Sequence, residues 1–182
     1  MAQIKPEQSR FAELEIPLER DSFMRTIIRE LSGTLQDVVG LEEASGFISV
    51  VGQTMGHQIN NDYKKTLGVE RLSQQQVEKT LVDLKARING DFYIIESDDE
   101  KIVLGNNACP FGSKVQDRPV MCMMTSNVFG SITADNLGYA KVVLEDTIAR
   151  GSPTCKVTLY LGKTPEAESQ EGREYYRRSD AI

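Results

Sequence analysis

The chain carries one histidine, His57, only three cysteines, and no apolar run approaching the roughly 20 residues that a membrane span requires. Each scarcity excludes something. A single histidine without a GxSxG elbow leaves a Ser/His/Asp hydrolase without its parts. Neither GxGxxG nor a GxxxxGK run followed by Ser or Thr occurs, so there is no glycine-rich phosphate cradle. Positive charge is in deficit: the net charge is −6, with acids spread along the chain, and no broad basic field exists to draw a phosphate backbone. No direct nucleic-acid partner is expected. Residues 1–20 hold no apolar segment ahead of a cleavage site, so no export and no membrane association are expected, and the chain is placed in the cytoplasm. An odd number of cysteines then points to reduced thiols or metal ligands rather than to a disulfide framework.

What is present describes a globular α+β domain. Hydrophobic residues make up 40% and charged residues 26%, enough to bury one core. The expected organisation is an N-terminal arm over 1–19 that docks at one end, a domain over 20–162, and a polar C-terminal tail over 163–182. From Arg20 the residues Phe23, Met24, Ile27, Ile28, Leu31, Leu35, Val38 and Val39 recur at three and four, predicting a first core helix that closes near Gly40. A second helix carries Ala44, Phe47, Ile48, Val51, Met55, Ile59 and Tyr63 and stops at Gly68. Its interior glycines, Gly46, Gly52 and Gly56, each cost about 1 kcal/mol relative to alanine, which points to close approach by another element, a ligand or a subunit. Ser73 with Gln76 reads as a capping box for a third helix bearing Val77, Leu81, Leu84 and Ile88.

The period then changes. Residues 91–96 and 101–104 read as a β-hairpin, 120–137 as a helix, and 139–148 with 154–161 as a second hairpin, so that the helices pack on an antiparallel sheet of two hairpins with a helix between them. Within this frame Cys109, Cys122 and Cys155 all stand at element boundaries, where they can converge at one end of the sheet. Three sulfurs suit zinc or an iron–sulfur cluster; the plainer alternative is small buried hydrophobes, and no CxxC pair is present. Cys109 sits in the loop Ala108-Cys109-Pro110-Phe111-Gly112, where access and redox reactivity are expected. Met121, Met123 and Met124 flank Cys122, and with Phe129 and Tyr139 they propose an apolar ligand pocket, Met123, Met124, Phe129 and Tyr139 being the expected contacts. His57 falls off the apolar stripe and reads as a surface or helix-packing residue. The run Asp98, Asp99, Glu100 reads as a solvated hairpin tip, and Arg173, Arg177 and Arg178 with Tyr175 and Tyr176 as a basic aromatic patch on the tail.

The segments KIVLGNNACPFG (101–112), CMMTSNVFGSITADNLGYAKV (122–142) and TIARGSPTCKVTLYL (147–161), with VVGLEEASGFISVVGQTMGHQINNDYKKTLGVERL (38–72) and DLKARINGDFYIIESDDEKIV (83–103) upstream, resemble the methanogen output domain. That family is itself similar to the four-vinyl-reductase-like sensor domains, and the resemblance spans about 19–161. It implies a signalling output or sensory domain tied to histidine-kinase or regulator pathways. It also implies, from the wider group, a zinc site of cysteines and a glutamate. By motif Cys122 takes the first cysteine position and Cys155 the last. Thr147 stands where a cysteine is expected, Glu145 is offset by about one residue from the acid, and Cys109 would supply the missing ligand.

The reading is therefore a homodimeric module that receives a signal or senses a small ligand or redox state, working through a histidine kinase or regulator protein in a signalling or transcriptional pathway. Its expected site combines Cys109, Cys122 and Cys155, holding zinc or an iron–sulfur cluster, with a small apolar ligand beside them. The alternatives are a redox enzyme of the vinyl-reductase type and a purely structural zinc-stabilised interaction module. The non-enzymatic reading leads because no acid–base pair or cofactor fingerprint appears.

Overall fold

The structure, a computed structural model, describes residues 11 and 13–178. Most of the expected N-terminal arm, residues 1–10 and 12, lies outside the described residues. Two long helices come first, α1 (Arg20–Val39) and α2 (Leu41–Leu67), joined by Gly40 alone at φ 85°, a conformation that favours glycine. Gly68 closes α2 in the left-handed region. Helix α3 (Gln74–Ala86) opens on the capping box expected at Ser73 and Gln76, with both halves formed.

Strands β1 (Phe92–Ser97) and β2 (Lys101–Asn106) form the first hairpin, whose tip is built by the Asp98 carboxylate accepting the Glu100 and Lys101 backbone N–H groups at 2.8 Å each. A loop with two short 3-10 turns leads into α4 (Cys122–Leu137), followed by the hairpin of β3 (Tyr139–Asp146) and β4 (Cys155–Tyr160). All strands are antiparallel, in the order β1-β2-β4-β3 with a fifth, Arg173–Tyr176, beside β3. The α+β class with helices on an antiparallel sheet of two hairpins holds. The hairpins are not separate: β4 pairs with β2 as well as with β3.

The fifth strand corrects the expectation for the tail. The sequence predicts a polar tail over 163–182, yet Pro165–Ser169 forms a helical turn, α5, and Arg173–Tyr176 forms β5 on the free edge of β3. Alternation explains it: Tyr175 points inward and is buried, while Glu174 and Tyr176 face out. The basic aromatic patch is thereby divided. The Tyr175 hydroxyl hydrogen-bonds Ser126, Arg173 reaches Ser49 at 2.5 Å, and Arg177 donates to the last carbonyls of α4 at Asp135 and Asn136.

Helix α4 lies between the sheet and α2 and is buried nearly all round, which is why its sequence has no single apolar stripe. Phe129, Ile132 and Val128 join Phe92, Ile102, Leu104, Val142, Val157, Leu159 and Leu81 in the main core. On the opposite side α2 comes very close. A Cβ at Gly52 would lie 2.7 Å from Asn127 Cβ, and one at Gly56 3.1 Å from Ser131 Cβ, whereas Gly46 faces open space. Two of the three interior glycines thus serve packing. The α2–α4 seam is otherwise polar: Asn127 Nδ2 donates to Ser49 Oγ (3.0 Å), Asn136 Nδ2 to Asn60 Oδ1 (2.8 Å), and His57 Nδ1 lies 2.8 Å from Asp135 Oδ2. His57 is a helix-packing residue.

The first helix is not a core helix. Only Ser32 and Gly33 of α1 are buried, and Phe23, Met24, Leu31, Val38 and Val39 are exposed, because nothing in the described chain covers them. Phe11, Leu14, Ile16 and Leu18 of the arm are exposed as well.

Candidate functional site

Period-two alternation sends Cys155, Val157 and Leu159 to the inner face of β4, so Cys155 ends the core where the chain enters that strand. Asn106, the last residue of β2, is its register partner. Cys122 opens α4 above the same sheet end, and Cys109 comes from the loop after β2. The three thiols, far apart in sequence, line one cavity of about 30 Å3 together with Asn106, Thr125, Thr147 and the apolar Phe92, Pro110, Phe111, Val115, Met121, Leu144 and Val157. A small second core of Ala44, Val115, Val120, Met121 and Ala149 closes it against the helices, with Ile28, Leu35 and Ile48 from α1 and α2 packed on it.

Hydrogen-bond donors are turned toward sulfur. The Ile148 N–H donates to Cys155 Sγ at 3.4 Å and Asn106 Nδ2 approaches it at 3.7 Å. Thr147 Oγ1 is buried beside the Cys122 thiol, whose ionised form it favours, and among the described residues it makes no other hydrogen bond. Burial pushes the Cys122 thiol up to about 12, with the neighbouring Cys109 and Cys155 adding to it. Burial also raises Cys109, while the Phe111 and Gly112 backbone N–H groups and Lys85 pull the other way. Cys109 and Cys122 are therefore protonated at neutral pH, and the expected thiol reactivity of the Cys109 loop is damped.

Lys85 is the residue that the sequence reading missed. Its ammonium is buried, donates to Thr125 Oγ1 at 2.7 Å, and sits 5.3 Å and 5.2 Å from the ring centres of Phe92 and Phe129, which pack edge to face. Burial lowers its pKa to about 8, an effect that the three thiols partly oppose. The signal was present: Lys85 stands four residues after Leu81, on the core face of α3.

The remaining expected site residues do not gather here. Phe129 is core, the Met124 backbone lies against Gly52 in the α2–α4 seam, and Tyr139 pairs edge to face with Tyr176 at the far end of β3. Neither Met123 nor Met124 lines the cavity; Met121 does. Glu145 is on the outer face of the sheet, bonded to Lys156 (2.7 Å) and Thr158 (2.5 Å), where the acid of a zinc site has no access to the thiols. Among the described residues no group of three His, Cys, Asp or Glu side chains is drawn together closely enough to hold a metal ion. The sulfurs ring a space; they do not yet chelate. A larger hollow of about 400 Å3 opens between α2 and α3, lined by Ile59, Asp62, Tyr63, Thr66, Leu84, Arg87 and Ile88, and contains none of the expected contacts. Among the described residues no helix is long and apolar enough to cross a membrane.

A family model described as methanogen output domain 1 matches residues 27–160. Among solved structures, the phenol-responsive sensory domain of the transcription activator PoxR, with phenol, matches with a TM-score of 0.61 at 14% identity, covering 86% of this chain and 82% of that one. A trafficking protein particle complex subunit 3 from Naegleria fowleri, covalently bound to palmitic acid, matches with a TM-score of 0.58 at 9% identity, covering 87% of this chain and 98% of that one. Both likenesses are of fold. No curated protein matches the chain.

Proposed function

The chain belongs to the methanogen output domain 1 family, and from that premise we propose that it is a signal-receiving module whose input is a thiophilic metal ion taken up at the Cys109, Cys122 and Cys155 cavity and whose output is a change in protein contacts. The observation that carries this reading is the convergence of three thiols from a loop, a helix start and a strand start on one cavity beside a buried lysine. Soft sulfur donors favour zinc and related ions. The Thr147 hydroxyl supplies an oxygen at the same wall.

Uptake would draw the sulfurs inward and with them the loop after β2 and the start of α4. Both touch the small core on which Ile28, Leu35 and Ile48 of the long helices rest. The change thereby reaches α1 and α2, whose outer faces are apolar and uncovered. A partner protein, the expected histidine kinase or regulator among the candidates, would read the α1 side, where Phe23, Met24, Leu31, Val38 and Val39 are exposed. The fold shared with a phenol-responsive sensory domain of a transcription activator supports a sensory reading.

The test is metal analysis of protein prepared under reducing conditions, beside Cys109→Ala, Cys122→Ala and Cys155→Ala. One equivalent of zinc, lost in all three variants, is the expected result. Folded protein that takes up no zinc, cadmium or cobalt would remove this input and leave a module that works by protein contact alone.

A further inference from the structure

Among the described residues, fifteen of the nineteen exposed large hydrophobic side chains lie between Phe11 and Leu67, and four of them, Phe47, Val50, Val51 and Met55, cluster near the middle of α2. Read at helical spacing, the residues Glu43, Phe47, Val50, Thr54, Gln58, Asn61 and Lys65 form one line, and every one of them is exposed. Val51 and Met55 widen it beside Thr54. The opposite line, with Ser49, Gly52, Gly56 and Asn60, is buried, Gly52 and Gly56 against α4, so the exposed line cannot turn inward.

We propose that this face of α2 pairs with the same face of a second copy of the chain, antiparallel, about a two-fold axis at Thr54. Charge is what selects the occupant. Glu43 lies eleven residues before Thr54 and Lys65 eleven residues after it, so an antiparallel pair sets each Glu43 beside Lys65 of the other copy, at both ends of a contact about 33 Å long. A parallel pair would set acid on acid and base on base. Among the described residues neither Glu43 nor Lys65 takes part in an ion pair inside the chain. Acids at the start of a helix and bases at its end also suit the helix dipole. That preference does not require them to share the exposed line with Phe47 and Val50, nor to stand at equal distances from its centre. A surface that complements itself needs a single evolved patch, which is the property of a two-fold interface.

The side chains grade correctly for such a contact. Val50, Val51, Thr54 and Met55 from both copies surround the axis, and the Thr54 hydroxyl is already satisfied by the Val50 carbonyl at 3.0 Å, leaving its methyl free to pack. Asn61 and the Glu43–Lys65 pairs fall at the rim, where water reaches them. The surface rests on the reading of the chain as a module that acts through protein contacts, and it is separate from the thiol cavity.

The experiment is analytical ultracentrifugation of the full chain across a concentration series, with Glu43→Lys, Lys65→Glu and the double variant, circular dichroism showing that each is folded. The wild type is expected to dimerise. Either single variant sets like charges together at both ends and should weaken the dimer roughly tenfold or more; the double variant restores opposite charges and should recover it. Thr54→Cys should cross-link to itself on mild oxidation, and Gln58→Cys, set off the axis, should not. A wild type that stays monomeric overturns the proposal, as does a dimer indifferent to the single variants or not recovered in the double variant, which would assign the face to a different protein. Cys109→Ala leaves the dimer intact if this inference holds while the thiol input fails.

Discussion

The two ends of this molecule are finished to different degrees. From Phe92 onward the chain closes on itself: the sheet is covered by α4 on one face, β4 joins the two hairpins by pairing with β2, and the C-terminal strand buries Tyr175 over the core. From Arg20 to Leu67 two helices of 20 and 27 residues leave most of their large apolar side chains uncovered. On that face, left open by the described residues, rest the proposed protein contacts. The thiol cavity lies where the two halves meet, lined by the closed half and backed by residues of α1 and α2.

Substitutions should separate the halves by the size of their effects. Tyr175→Ala removes a buried ring and its hydrogen bond to Ser126, and should cost about 3–5 kcal/mol, read as a large fall in the denaturation midpoint. Lys85→Met should act in the opposite direction. The folded pKa of about 8 lies below the ordinary lysine value of 10.5, so the charged form is penalised by folding. That penalty, about 3 kcal/mol, is present in full below pH 8 and fades as pH rises toward 10.5. The variant should therefore gain up to that amount over wild type at pH 7, and the gain should shrink in denaturation series at pH 9 and 10; a constant difference would show that Lys85 matters through packing.

A smaller effect is expected at the boundary. Gly52→Val would press its side chain on Asn127 and on the backbone of Met124, forcing α2 away from α4 at about 1–3 kcal/mol. The least is expected on the open half: Val50→Ser, at an exposed site, should alter the stability of the isolated chain by no more than about 0.5 kcal/mol while weakening its self-association.

How much of this was written legibly in the sequence follows the same division. Helix boundaries at Gly40, Ser73 and Gly68 and the two hairpins came from capping, glycine and period-two signals that act locally. The convergence of Cys109, Cys122 and Cys155 was legible because each stands at an element end, and the sheet brings those ends together. β5 was missed because four residues with one buried side chain give too short a pattern, and their strand character comes from the free edge of β3. The stripe on α1 was read as core because periodicity reports an amphipathic helix and is silent on whether its apolar side meets its own chain or another. The Met123, Met124, Phe129 and Tyr139 grouping failed to assemble because α4 is surrounded: its successive side chains serve the sheet, α2 and the cavity in turn. Lys85 drew no notice in the sequence, though its place after Leu81 put it on the buried side.

The central claim is that the three thiols act as one site. Zinc titration of the reduced chain, followed by counting the thiols that remain reactive to a small disulfide reagent under mild denaturation, tests it most directly. The account predicts that one zinc per chain protects Cys109, Cys122 and Cys155 together, with protection of all three lost when any one is replaced; protection of single thiols independently, or none at stoichiometric zinc, would contradict it.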